Sequence, residues 1–188
     1  MRTFKNVVSV FVTFFRLALR KFLDLRNRHF GLIERISPNV LLEFHRGAKI
    51  KLGNKIRVHS GCKIKVRSKA ALSIGTGTKI NYNCMIVCRQ SITIGEGCEF
   101  GPGVLIYDHD HDFRAEGGIK AKQYKTAPVI IGKNVWIGAN TVILRGAVIG
   151  DNCVIGAGSV VRGNVPSNTI LVQKRENTFV PIEGEQNG

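Results

Sequence analysis

The chain has 188 residues, 44% of them hydrophobic, which suits one domain with its own core and excludes a disordered tail. Its 21 glycines against 5 prolines and 7% aromatics point to many tight corners around an aliphatic core, and five cysteines without Cys-x-x-Cys spacing favour neither a disulfide framework nor a structural zinc site but a reducing, cytoplasmic compartment. The formal charge of +15 is uneven: through Lys69 there are 17 Lys and Arg against Asp24, Glu34 and Glu43, whereas 11 basic and 10 acidic residues follow. The basic N-terminal third attracts anionic membrane, acidic glycan or nucleic acid.

Residues 1–28 are predicted to form a basic amphipathic helical segment. Phe4, Val8, Phe11, Phe15, Ala18 and Phe22 recur at steps of four and three, with Ser9, Thr13, Arg16 and Arg20 opposite. The apolar stretch is too short to span a bilayer, and no small-residue cleavage site follows it as in a signal peptide. Two placements are open: peripheral on the inner face of an anionic membrane, or packed on its own domain.

From 29 to 170 the period becomes six. Ile131, Ile137, Ile143, Ile149, Ile155 and Val161 form one series, and four positions after each stands a second inward residue: Val135, Thr141, Ala147, Cys153, Ser159 and Val165. Neither a helix nor an alternating strand has this period; a triangular coil does, each hexad giving one short strand and one corner, with coils stacked at about 4.8 Å. Earlier hexads start at Leu52, Val58 and Ile64, at Ile74, Ile80 and Ile86, and at Ile94, Phe100 and Ile106. The irregular steps from 64 to 74, from 86 to 94 and from 106 to 131 are expected to be insertions at corners, the last extruding a loop over 108–128. Cys62, Cys84, Cys98 and Cys153 fall on the small inward position and read as core filler; Cys88 falls elsewhere. Lys63, Lys65, Arg67 and Lys69 alternate with Ile64, Val66 and Ser68, placing four cations on one outer face, either solvated or anion-binding. No aromatic-rich stacking platform accompanies them, which disfavours nucleic acid. Residues 171–188 read as a C-terminal tail.

The segment Pro102-Gly-Val-Leu-Ile-Tyr-Asp-His-Asp-His-Asp112 ends a hexad and enters the loop. Two histidines among three aspartates fit a solvated loop, a divalent metal site in which His109 and His111 share a face, or proton-transfer chemistry. A zinc enzyme on this plan needs a third histidine, and His29, His45 and His59 all lie upstream.

The run Ala127-Pro-Val-Ile-Ile-Gly-Lys-Asn-Val-Trp-Ile-Gly-Ala139, followed by Ile155-Gly-Ala-Gly-Ser-Val160, resembles the hexapeptide-repeat acetyltransferases, with maltose and galactoside O-acetyltransferases and capsular or lipopolysaccharide O-acetyltransferases nearest in look. The similarity covers about residues 50–170. It implies an all-β solenoid in the form of a left-handed parallel β-helix, a homotrimer with active sites between neighbouring subunits, and metal-free acetyl transfer from acetyl-coenzyme A to a carbohydrate hydroxyl, such as a surface-polysaccharide unit or lipid-linked glycan precursor. The alternatives are N-acetylation of an amino nucleotide sugar and a non-catalytic solenoid that binds an acidic polymer.

Acyl transfer to an alcohol needs a base, a group that orients it and donors for the oxyanion. Laid without gaps on the maltose-enzyme pattern, Pro102-Gly103 delivers His111 to the catalytic place, with His109 two residues earlier. Asp108, Asp110 and Asp112 are candidates to orient it or meet the acceptor. Asn81 matches an asparagine that faces the acceptor in the family, and is expected one coil below the corner next to His111; as a bare residue it also suits a turn. Trp136 directly precedes an inward isoleucine and should point outward, to line the pantetheine channel as in the family or to pack between subunits. Ala139 and Ala157 match positions whose backbone meets the pantetheine arm. Arg162, Lys174 and Arg175, near the C-terminal end of the coil, are candidates for the coenzyme phosphates or plain solvated charges.

Overall fold

The computed structural model describes residues 2–22, 27–31 and 34–179. They form a three-sided parallel β-solenoid behind one N-terminal helix, the triangular coil expected from the hexads and consistent with the left-handed β-helix that the resemblance implies. Strands from Lys49–Leu52, Ala71–Ile74, Ser91–Ile94, Val129–Ile131 and Val148–Ile149 stack in parallel as the first face. Arg57–Val58, Lys79–Ile80, Glu99–Phe100, Trp136–Ile137 and Val154–Ile155 belong to the second face, and Leu41–Phe44, Lys63–Val66, Met85–Cys88, Leu105–Tyr107 and Val142–Ile143 to the third. Below, the first edge joins faces one and two, the second edge faces two and three, and the third edge faces three and one.

The axis is filled as the period requires, with Ile74, Ile80, Ile86, Ile106, Ile131 and Ile137 fully buried. At the second inward position the side chain does more than fill space. Cys62, Cys84, Cys98 and Cys153 each direct their thiol at a carbonyl of the next coil, those of Asn81, Gly101, Gly132 and Pro166 at 2.9–3.2 Å, and Thr78 and Thr141 do the same with Gly95 and Gly156. A small residue carrying a donor thus satisfies corner carbonyls that the strand ladders leave unpaired. Corners need left-handed backbone, supplied by Asn83, Asn140 and Asn152 as well as by glycine.

The shorter irregular steps differ from expectation. The extra residues lengthen strands instead of corners: Ile64 and Val66 are both buried in Lys63–Val66, and Leu72 and Ile74 in Ala71–Ile74. Two added residues preserve the in-and-out alternation, so a strand absorbs them without flipping a face. The same alternation turns Cys88 inward, and it is as buried as the other four. Of the cation stripe, Lys63 is exposed, while Lys65 and Arg67 converge on Glu43 one coil below, Lys65 at 3.4 Å.

The helix Arg2–Phe22 caps the open end of the first coil. Ile36 belongs to the edge strand Arg35–Ile36, and Thr13 Oγ1 both accepts from its N–H and donates to its carbonyl, each at 3.0 Å. The Arg16 guanidinium donates to the Ser37 and Val40 carbonyls at 3.1 and 2.7 Å, and Leu17 joins the core. The docked edge is therefore the one read as the polar side, while Phe11 and Phe15 of the apolar stripe face solvent. Side chains of Phe4, Ser9, Arg20 and Phe22 lie outside the described residues, as do residues 180–188 of the tail.

Candidate active site

Alternation along the third face continues past its last apolar residue: Val104 and Ile106 point inward, and so does Asp108. Its carboxylate, wholly buried, lands on the corner of the coil below, where it accepts from the backbone N–H of Arg89 at 2.8 Å, Gln90 at 2.7 Å and Ser91 at 2.9 Å. Cys88 Sγ approaches at 3.5 Å. Burial pushes the Asp108 carboxyl up, but bonds from His109, the Gln90 and Arg89 amides and the Cys88 thiol together hold it below its ordinary value. Burial, and then the Asp108 charge, push the Cys88 thiol well up, which makes it an inert neighbour instead of a nucleophile.

After Asp108 the chain leaves the prism at the third edge. His109–His111 pairs antiparallel with Tyr124–Thr126, and the Ala127 N–H closes the base on the Asp108 carbonyl at 3.0 Å. His111 lies opposite Tyr124 and His109 opposite Thr126, so both imidazoles and the phenol share one side. The Tyr124 ring is 5.6 Å from that of His109 and 4.6 Å from that of His111. His109 Nδ1 stands 3.1 Å from Asp108 Oδ1, with the side chain 11% exposed; His111 is exposed. Beneath them the Arg89 guanidinium carbon lies 3.4 Å from the Tyr124 ring centroid, and its buried Nε has no hydrogen-bond partner among the described residues. On the opposite side of the hairpin, Asp110 accepts from Arg145 Nε at 2.5 Å, and Asp112 pairs with Lys125 at 3.2 Å. The three aspartates thus separate: Asp108 touches a histidine, Asp110 ties the hairpin to the coil above, and Asp112 braces it.

Asn81 is elsewhere. It stands on the second edge, where its Oδ1 accepts from the Tyr82 N–H at 2.9 Å, so the expectation that it lies below the His111 corner is corrected: successive corners of one coil fall on different prism edges. The same second edge carries Ala139 and Ala157, stacked so that Gly158 N–H donates to the Ala139 carbonyl at 2.7 Å. No side chain fits beneath, because a Cβ on Gly138 would meet the Ala157 nitrogen at 2.5 Å. Trp136, 59% exposed, projects from the neighbouring second face. Arg175 returns to this edge and donates to the Gly158 carbonyl, guided by Gln173, which bonds both backbone groups of Val160. Lys174 is exposed, and Arg162 sits at a third-edge corner, away from this group. The chain therefore offers two surfaces: a histidine hairpin on the third edge, and a strip with Asn81, Trp136, Ala139, Ala157 and Arg175 at or beside the second.

Residues 128–163 match the family model described as bacterial transferase hexapeptide (six repeats). That stretch is similar to the hexapeptide repeats of bacterial transferases. Nodulation protein L of Rhizobium meliloti is 46% identical over 95 residues, covering 50% of this chain and 51% of that protein. The galactoside O-acetyltransferase of Escherichia coli is 38% identical over 99 residues, 53% of this chain and 48% of that protein. Among solved structures, a hexapeptide-repeat-containing acetyltransferase from Vibrio cholerae superposes with a TM-score of 0.57 at 34% identity, over 64% of this chain and 66% of that one. The chain spans about half the length of the curated relatives it matches.

At the third edge, sequence reasoning missed Arg89, Tyr124 and the Asp108–His109 pair. The pair was detectable, since counting in twos from Val104 turns Asp108 inward. Tyr124 and Arg89 were not: their meeting depends on how a loop of a dozen residues closes. Among the described residues, no group of three or more His, Cys, Asp or Glu side chains is arranged to hold a metal ion.

Proposed function

We propose that the protein transfers an acetyl group from acetyl-coenzyme A to a carbohydrate hydroxyl, at a site built between two subunits of a homotrimer, with His111 as general base. The observation that carries this reading is the division of the candidate residues between two prism edges. Within one protomer the histidines cannot meet Asn81 or the Ala139–Ala157 strip; a three-fold ring of parallel prisms would set the third edge of one against the second edge of the next.

The chemistry follows from the groups available. Acetyl-coenzyme A supplies an activated thioester, and the strip between Trp136 and the Ala139–Ala157 corners suits a thin extended arm, since it exposes backbone and carries no bulky side chain. Arg175, beside Gly158, places a cation where a phosphate could accept charge-assisted bonds. His111 takes the acceptor's hydroxyl proton as the oxygen attacks the thioester carbon, and the leaving sulfur receives that proton. His109, clamped by Asp108 and packed against Tyr124, fixes the hairpin that carries His111. Its 3.1 Å bond to Asp108 also favours a second reading, in which His109 is the oriented base. Arg89, spread beneath Tyr124, adds a cation to the acceptor side and suits a sugar bearing an anionic group.

The test is turnover with acetyl-coenzyme A and a panel of glycan acceptors, followed by mass spectrometry. We expect His111→Ala to lower turnover by about 10²–10⁴-fold while coenzyme A still binds, and His109→Ala to cost much less. The reverse order would assign the base to His109. Product acetyl should be lost in mild alkali as an ester; its retention would make the reaction N-acetylation, and failure to bind coenzyme A would leave a non-catalytic solenoid.

A further inference from the structure

We propose that the outward face of the N-terminal helix docks on an anionic lipid bilayer, so that the solenoid stands with its first coil toward the membrane. Amphipathic helices ordinarily bury their apolar stripe against the domain they cap. Here the helix is held the other way round. Thr13 and Arg16 satisfy the carbonyls of Ile36, Ser37 and Val40 and the amide of Ile36, and among the described side chains of the helix only Leu17 enters the core. These bonds are directional, and rolling the helix to bury its phenylalanines would orphan backbone groups on the edge strand. The rotation is therefore fixed, and it leaves Phe11, Phe14, Phe15 and Leu19 at 56–68% exposure, flanked by Val7 and Val8.

Charge selects the occupant. The patch lies at the end of a chain whose first 69 residues hold 17 basic and 3 acidic groups, with Arg46, Lys49, Lys51 and Lys55 exposed on the first two coils. A second copy of the same face would bring like charges together, whereas an anionic bilayer offers an apolar boundary for the rings and phosphates for the cations. No helix among the described residues is long and apolar enough to cross a membrane, so the helix would lie in the interface. In a ring of parallel prisms, all such helices point the same way, and their weak individual attachments multiply.

The experiment is cosedimentation of the full chain with vesicles of phosphatidylcholine alone or mixed with phosphatidylglycerol, comparing the wild type with a Phe11→Ser, Phe14→Ser, Phe15→Ser variant. None of the three residues makes the docking bonds, so an unchanged circular dichroism spectrum and melting midpoint should confirm that the variant folds. We expect wild-type binding to the anionic vesicles, weakened by salt, and at least a ~10-fold loss in the variant. Absence of wild-type binding, or equal binding by the variant, would overturn the proposal. So would loss of oligomerisation in the variant by sedimentation velocity, which would make the face a subunit contact. These readouts are independent of acyl transfer.

Discussion

With no solvent to satisfy it, the Asp108 carboxylate takes its partners from three successive amides of the coil below and from His109. This one side chain closes the corner at 89–91 and sets the root of the hairpin above it. Replacing it with asparagine turns an acceptor-only group into one that presents donors to donors, and should lower stability at neutral pH by about 2–3 kcal/mol. The sign of the pH dependence follows from the direction of the shift. The folded carboxyl is held below its ordinary value, so its contribution is present above the unfolded value near ~4 and is lost as pH falls through the folded one. Urea titrations should therefore show the gap between wild type and Asp108→Asn constant near neutrality and narrowing below about pH 4; a gap that widened in acid would contradict the assignment.

The hexad couples packing to the binding strip at the level of the element. The Ala139 and Ala157 corners stack closely because Gly138, itself buried, lacks a side chain that would run into the Ala157 backbone. Gly138→Val should cost about 1–3 kcal/mol in denaturant melts through overpacking, and should also weaken coenzyme A binding more than the stability loss accounts for. Much of this element was legible in the sequence, because a period of six admits few structures and Ile131 through Val161 keep it without a break. The strands that lengthen by two residues were harder to read, since Val66 and Cys88 obey a local period of two that the search for six passes over. The helix was legible as amphipathic but not in its orientation, which depends on Thr13 and Arg16 finding unpaired carbonyls that exist only once the first coil has formed. At the candidate site, the hairpin residues His109 and His111 stood out by composition, whereas the separation of Asn81 from them required knowing which prism edge each corner occupies.

For the whole molecule, the proposed site is one that no single protomer completes. Two variants divide that site: His111→Ala disables the third edge, and Ala157→Trp blocks the strip on the second, and each homomeric protein should be inactive. Co-expressed in equal amounts, they should regain roughly a quarter of wild-type turnover, because in a closed ring one interface in four pairs an intact hairpin with an intact strip. Sedimentation should find the mixture trimeric. No recovery in a mixed trimer of the two variants, or a stable and fully active wild-type monomer, would contradict the shared site.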